Sequence, residues 1–219
     1  LEFLVTHSLP AHFASSLMAA YGDLAAETVA RDPYLLCEEP YLLDFGRADE
    51  LATVSLGIPE DSALRLEAGI LYVLTFNLQA GHTFVPRDKL LPAASRLLGW
   101  PEEELEDRLE TLRAREKVKQ DLWRGREVVY LEYVWKQEVY VSREITRLKQ
   151  MPLKPPPDLE KNLKKIEARQ GMEYAQKQRE AICLPFSSAV SLITGGPGTG
   201  KTTALLTMIS LLETYGLKT

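Results

Sequence analysis

Eight residues of this sequence have the types and spacing that bind phosphate. Gly195-Gly196-Pro197-Gly198-Thr199-Gly200-Lys201-Thr202 fits the P-loop pattern G-x-x-x-x-G-K-[ST]. The glycines let the backbone curl so that successive N–H groups point at phosphate oxygens. A helix starting here adds the positive end of its dipole. Lys201 then reaches the β- and γ-phosphates of ATP as a mobile point charge, and the Thr202 hydroxyl serves Mg²⁺. These two are the catalytic candidates. Thr199 contributes mainly backbone, and Thr203 follows in the helix. A chance glycine-rich loop is the competing reading, and the flanking segments weigh against it.

Those segments must position the loop. Ala189-Val190-Ser191-Leu192-Ile193-Thr194 is apolar and β-prone, so a buried strand is predicted to feed it. Thr203 to Tyr215 carries Leu205, Leu206, Met208, Ile209, Leu211 and Leu212 and predicts a mostly buried helix ended by Gly216. Strand, glycine-rich turn and helix are the setting the motif requires. Upstream, Tyr174 to Ile182 reads as a polar-faced helix ended before Pro185, with Gln178 lying 17 residues before Gly195. A glutamine amide both donates and accepts, so Gln178 can pair with adenine N6 and N7. The alternative is a solvated helix residue.

The Q-x-x-A-I segment with Gly-Gly-Pro-Gly-Thr-Gly-Lys-Thr-Thr resembles the start of the motor in superfamily 1 helicases of the RecD/TraA type. The upstream region resembles the branch with a long N-terminal region that occurs without RecB and RecC partners. The phrases that carry this are Tyr21-Gly22, Asp32-Pro33-Tyr34-Leu35, Phe45 to Ala52, Arg65-Leu66-Glu67-Ala68 and Gly81-His82-Thr83. The resemblance implies an ATP-driven DNA helicase moving 5′ to 3′ on single strands, in repair or recombination, akin to the exodeoxyribonuclease V alpha subunit. It implies that Gln178 reads adenine, that Gly195 to Lys201 hold the phosphates and that Thr202 binds Mg²⁺. It also implies helix-hairpin-helix elements in residues 1–80, with Gly46 and Arg47 as nucleic-acid candidates. Here Asp44-Phe45-Gly46 stands where two glycines usually flank an apolar residue. A carboxylate repels a DNA phosphate, so a structural or protein-contact role competes with DNA binding.

The fold expected is a mainly α N-terminal region followed by the start of an α/β P-loop motor. Residues 1–80 read as short helices with tight turns, the longest over Ala63 to Gln79 behind Asp61-Ser62. Residues 81–150 read as a winged-helix-like module: helices over Lys89–Leu98 and 102–117, a hairpin of Val118–Trp123 and Val128–Leu131, then a helix over Val134–Leu148. Arg124 and Arg126 at the hairpin tip are candidate phosphate contacts, and Trp123 can stack on a base or pack the hairpin. Residues 151–158 form a linker, because Pro155-Pro156-Pro157 favours extended backbone. Asp158 then caps a helix that opens the motor segment, residues 159–219.

Composition bounds the rest. The 219 residues are 45% hydrophobic and 26% charged with net charge −5, which excludes a disordered chain and a uniformly basic nucleic-acid coat. Residues 1–100 carry net −7 and residues 143–181 net +4. An acidic region 1–150 suits a protein partner; DNA, single-stranded or at duplex junctions, is the partner that the resemblance implies. No apolar run approaches a membrane span, and the two cysteines, Cys37 and Cys183, read as core residues of a cytoplasmic protein. Both ends read as cut, so the chain is expected to be a piece of a longer protein. Hydrolysis needs a carboxylate from a later strand and an arginine. Only 18 residues follow Lys201, and their one acid is Glu213, in mid-helix. These residues alone are therefore expected not to hydrolyse ATP. A different P-loop ATPase of DNA repair, or a non-enzymatic interaction module in residues 1–150, are the competing functions.

Overall fold

A computed structural model describes residues 2–217. Leu1, at the head of the first apolar run, and Lys218 and Thr219, at the end of the motor segment, lie outside the described residues. The chain divides into two units, Leu1–Gln137 and Glu138–Thr219.

The first unit opens with α1 (Glu2–Thr6), α2 (Phe13–Tyr21) and α3 (Ala25–Arg31). Gly22 ends α2, as its position predicts. Next come α4 (Phe45–Glu50), which runs on into a wider π turn over Leu51–Ser55, and α5 (Ala63–Gln79). The Ser62 hydroxyl accepts from the Arg65 N–H at 3.3 Å and fixes where α5 starts. Leu66, Ile70, Val73 and Leu74 form its buried stripe.

After α5 the chain forms β1 (Phe84–Pro86), α6 (Arg87–Leu98), α7 (Glu102–Ala114), β2 (Val118–Trp123) and β3 (Arg126–Leu131). The hairpin pairs Val118 with Leu131 and Trp123 with Arg126. The sequence did not announce β1. Its three residues are too short to show alternation, and they become a strand by pairing on the free edge of β3, giving the antiparallel order β1-β3-β2. Leu105, Leu109 and Leu112 on α7 are fully buried, as their spacing predicts. α5 packs on both α6 and α7. Against α6 it does so at Gly69, where a Cβ would meet Leu98 at 2.7 Å.

One ion pair, between buried Arg65 and half-buried Asp49, ties this unit together. Arg65 donates from Nε and a terminal nitrogen to the two carboxylate oxygens of Asp49, at 2.8 and 2.9 Å. Its other terminal nitrogen reaches the carbonyls of Glu60 and Leu98 at 3.1 and 3.2 Å. The Tyr34 hydroxyl also donates to Asp49, at 2.7 Å. Asp49, the turn at Glu60 and the end of α6 at Leu98 thus meet at one guanidinium on α5, and the bond to Asp49 raises its pKa further.

α8 (Glu132–Lys149) contains the boundary between the units. Residues 152–156 form neither helix nor strand. The second unit then holds α9 (Leu159–Gln170), α10 (Gln176–Cys183) and α11 (Lys201–Thr214). Leu163, Ile182 and Leu211 are its fully buried centre. Three expectations fail here. Residues 189–194 are not a strand, because a strand needs a neighbour to take its N–H and C=O groups, and the second unit offers none among the described residues. α11 is not mostly buried: it covers Ala204, Met208 and Leu211 but leaves Leu205 48% and Leu206 60% exposed. Without a sheet on that side, only one face of α11 finds a cover. Asp158 precedes α9 without a side-chain cap bond. Its carboxylate instead takes the Tyr215 hydroxyl at 2.9 Å and the Asn162 amide at 3.1 Å. Cys37 is buried and Cys183 half-buried.

Arg65→Ala leaves the half-buried Asp49 carboxylate without its cation. It is expected to destabilise the first unit by about 3 kcal/mol in denaturant titration. A loss below about 1 kcal/mol would place the pair with ordinary surface salt bridges.

Candidate nucleotide site

The Gly195–Thr202 loop lies between the irregular segment 191–194 and the head of α11. Side chains hold three of its carbonyls. The Thr199 hydroxyl donates to the Gly196 carbonyl at 2.9 Å. The Lys201 ammonium donates to the Gly195 carbonyl at 2.6 Å and also to that of Gly196. Gln178 donates from Nε2 to the Thr199 carbonyl at 3.2 Å.

Gln178 works at both ends. Its Oε1 accepts the Ala175 N–H at 3.0 Å and so closes the start of α10, while its Nε2 grips the loop. Gly200 answers to this contact. It has φ +78°, and a Cβ there would meet Gln178 Nε2 at 2.5 Å. Its left-handed conformation favours glycine, and a Cβ there would push the Gln178 amide off the loop.

α11 starts at Lys201, and Gly200 supplies no side-chain cap. A helix leaves its first N–H groups without intrahelical acceptors, so they are the donors on offer to an anion. Thr202 and Thr203 sit in this first turn with exposed side chains, and Pro197 and Gly198 form the exposed crest of the loop. The arrangement fits a phosphate chain: donors and the helix's positive end converge, with one mobile ammonium beside them. An anionic phosphate oxygen is a stronger acceptor than a neutral carbonyl, so Lys201 can exchange its loop contacts for phosphate. Among the described residues no group of His, Cys, Asp and Glu could hold a metal ion by itself.

A polar clamp that sequence reasoning missed holds α9 against α10 and α11. The Tyr174 and Thr207 hydroxyls share a 2.6 Å hydrogen bond, and Tyr174 also donates to Gln170 Oε1 at 2.8 Å. Arg179 binds both oxygens of Glu167 at 2.9 Å and reaches Glu160 at 2.8 Å. The Asn162 amide donates to the Tyr215 hydroxyl at 2.9 Å. The Tyr215 bond holds the Asp158 carboxyl below the usual carboxylate range. Partners up to 57 residues apart give no periodic signal.

The other sequence candidates lie in the first unit and are differently engaged. The Gly46 N–H donates to the Asp44 carboxylate at 2.9 Å, so that carboxylate sits where a phosphate oxygen would accept. Arg47 donates to the Ser8 carbonyl at 2.7 Å. Arg126 makes a two-pronged bond to Asp88, at 2.7 and 2.8 Å. Arg124 lies over the ring of Trp123 at 4.7 Å, and that ring is 47% exposed. Of the four, only Arg124 presents its cation with an aromatic face at an exposed turn.

Two comparisons with known families agree with this layout. Residues 1–84 match the family described as the ATP-dependent RecD2 DNA helicase HHH domain. Residues 178–218 match an AAA domain, and that match begins at Gln178.

Gln178→Ala is expected to weaken binding of a fluorescent ATP analogue about tenfold, the loss of one hydrogen bond that shapes a charged site. Gly200→Ala should abolish binding while leaving the helical circular dichroism unchanged. Thr207→Val removes one of the two hydrogen bonds of the Tyr174 hydroxyl and should lower the stability of the second unit by about 1 kcal/mol in thermal melts. With the helicase HHH domain matched first and an AAA domain behind it, the two matches support reading the chain as an N-terminal portion of a RecD-like helicase.

Proposed function

We propose that these residues serve an ATP-dependent DNA helicase that moves 5′ to 3′ and acts in DNA repair or recombination. The observation that carries this is the Gly195–Thr202 loop, gripped by Gln178 at the head of α11, in a chain whose first 84 residues match a RecD2 helicase domain. Gly195, Gly196, Pro197, Gly198, Thr199 and Gly200 shape the cradle, Lys201 neutralises the β- and γ-phosphates, and Thr202 and Thr203 present the first-turn donors. Mg²⁺, with Thr202 as a ligand, would offset charge on the phosphates. Gln178 keeps one N–H and one lone pair beyond its bonds to Ala175 and Thr199, which is what pairing with adenine requires.

The division of labour proposed is a helical region 1–80, a winged-helix-like module 81–150, a linker 151–158 and a motor segment 159–219. Contact with DNA in the module falls to the hairpin tip, where Trp123 and Arg124 offer a stacking face with a cation. The bonds of Gly46 to Asp44, of Arg47 to Ser8 and of Arg126 to Asp88 favour an architectural role for these three candidates over a DNA contact. The 219 residues alone are expected to bind ATP without turning it over, since the water-activating carboxylate comes from a later strand.

The test is ATP turnover by a protein carrying these residues ahead of a complete motor. Single-stranded DNA is expected to stimulate turnover, and Lys201→Ala to remove it. Trp123→Ala should weaken single-strand affinity about tenfold, the value of one stacked base. Turnover indifferent to DNA would favour another P-loop ATPase.

A further inference from the structure

Gln178 lies in a short segment, 174–179, and one carboxylate binds both ends of that segment. Glu167, on the last turn of α9, is 7% exposed. Its Oε1 accepts the Tyr174 N–H at 3.1 Å. Both of its oxygens accept from one terminal nitrogen of Arg179, at 2.9 Å each. The other terminal nitrogen of Arg179 reaches Glu160, earlier on α9, at 2.8 Å.

Between these two anchors the backbone under Gln178 is set. Its N–H donates to the Ala175 carbonyl at 2.9 Å, and its Oε1 takes the Ala175 N–H at 3.0 Å. Its Nε2 then spans to the Thr199 carbonyl at 3.2 Å. Holding a glutamine side chain in one rotamer costs up to about 2 kcal/mol, more than one neutral hydrogen bond returns. The contact with the loop therefore needs a backbone that is already in place. The fit is also close, since a Cβ at Gly200 would stand 2.5 Å from Nε2. A small displacement of α10 takes the amide out of hydrogen-bond geometry.

We propose that Glu167 is a positioning residue of the nucleotide site. From α9, and without touching nucleotide, it sets where Gln178 stands over the Gly195–Thr202 loop and so sets the affinity for ATP. The inference rests on the nucleotide reading of that loop. A purely structural role for Glu167 has a different consequence: its substitution would cost the same affinity whether or not Gln178 is present.

The test is a double-mutant cycle on the 219-residue chain, read by titration with a fluorescent ATP analogue and by thermal melts. Glu167→Gln turns one acceptor into a donor facing Arg179. It is expected to weaken binding about fivefold in the parent chain, and less than about twofold once Gln178→Ala is present. The melting temperature should fall by a similar amount in both backgrounds, which ties the difference in binding to Gln178. Arg179→Lys cannot bridge the two carboxylates of α9 and should repeat the pattern. It carries the test if Glu167→Gln does not fold. Equal losses of affinity with and without Gln178, or no loss from either variant, would overturn the proposal and leave the nucleotide site standing. A parent chain that does not bind the analogue would overturn the nucleotide reading and this inference with it.

Discussion

A loop rich in glycine has no shape of its own, since fixing each residue's backbone costs about 1–2 kcal/mol in conformational entropy. In this chain the shape comes from side chains that engage the loop's carbonyls. Thr199 and Lys201 do this from within the loop, and Gln178 does it from α10. Because the carbonyls are taken, the N–H groups at the head of α11 are left as the donors. The nucleotide site therefore depends on where α10 and α11 stand. Their places depend in turn on α9 and its bonds through Tyr174, Glu167 and Asn162.

The same economy shows in the first unit, where buried polar groups rather than sheet or helix length fix the arrangement. Arg65 joins α5 to Asp49, to the turn at Glu60 and to the end of α6 at Leu98. At the hairpin before α4, the Asp44 carboxylate accepts the Gly46 N–H, which is thereby already engaged within the chain. The β-hairpin tip, with Arg124 over the Trp123 ring, is exposed instead.

Much of this was legible in the sequence because the signals were local. Ser62 before an apolar stripe and Gly81 after it predict a helix over about Ala63 to Gln79, where α5 lies. Arg124-Gly125 between alternating apolar runs predicts the hairpin. The aspartate before Phe45 was legible as a charge beside Gly46, and in the structure its carboxylate accepts the Gly46 N–H. What escaped was non-local. β1 exists only because β3 has a free edge. The segment 189–194 has the composition of a strand but no neighbour to pair with, and Leu192 is left 86% exposed. Gln178 was read for adenine, and its grip on Thr199, 21 residues away, could not be inferred from spacing.

The central claim is that this loop belongs to a DNA-unwinding motor with a defined direction. The most direct measurement compares ATP-dependent unwinding of a duplex bearing a 5′ single-stranded tail with one bearing a 3′ tail, using the helicase that carries these residues. The account predicts unwinding of the 5′-tailed duplex alone. Unwinding from the 3′ tail, or ATP consumption with both duplexes left intact, would contradict it.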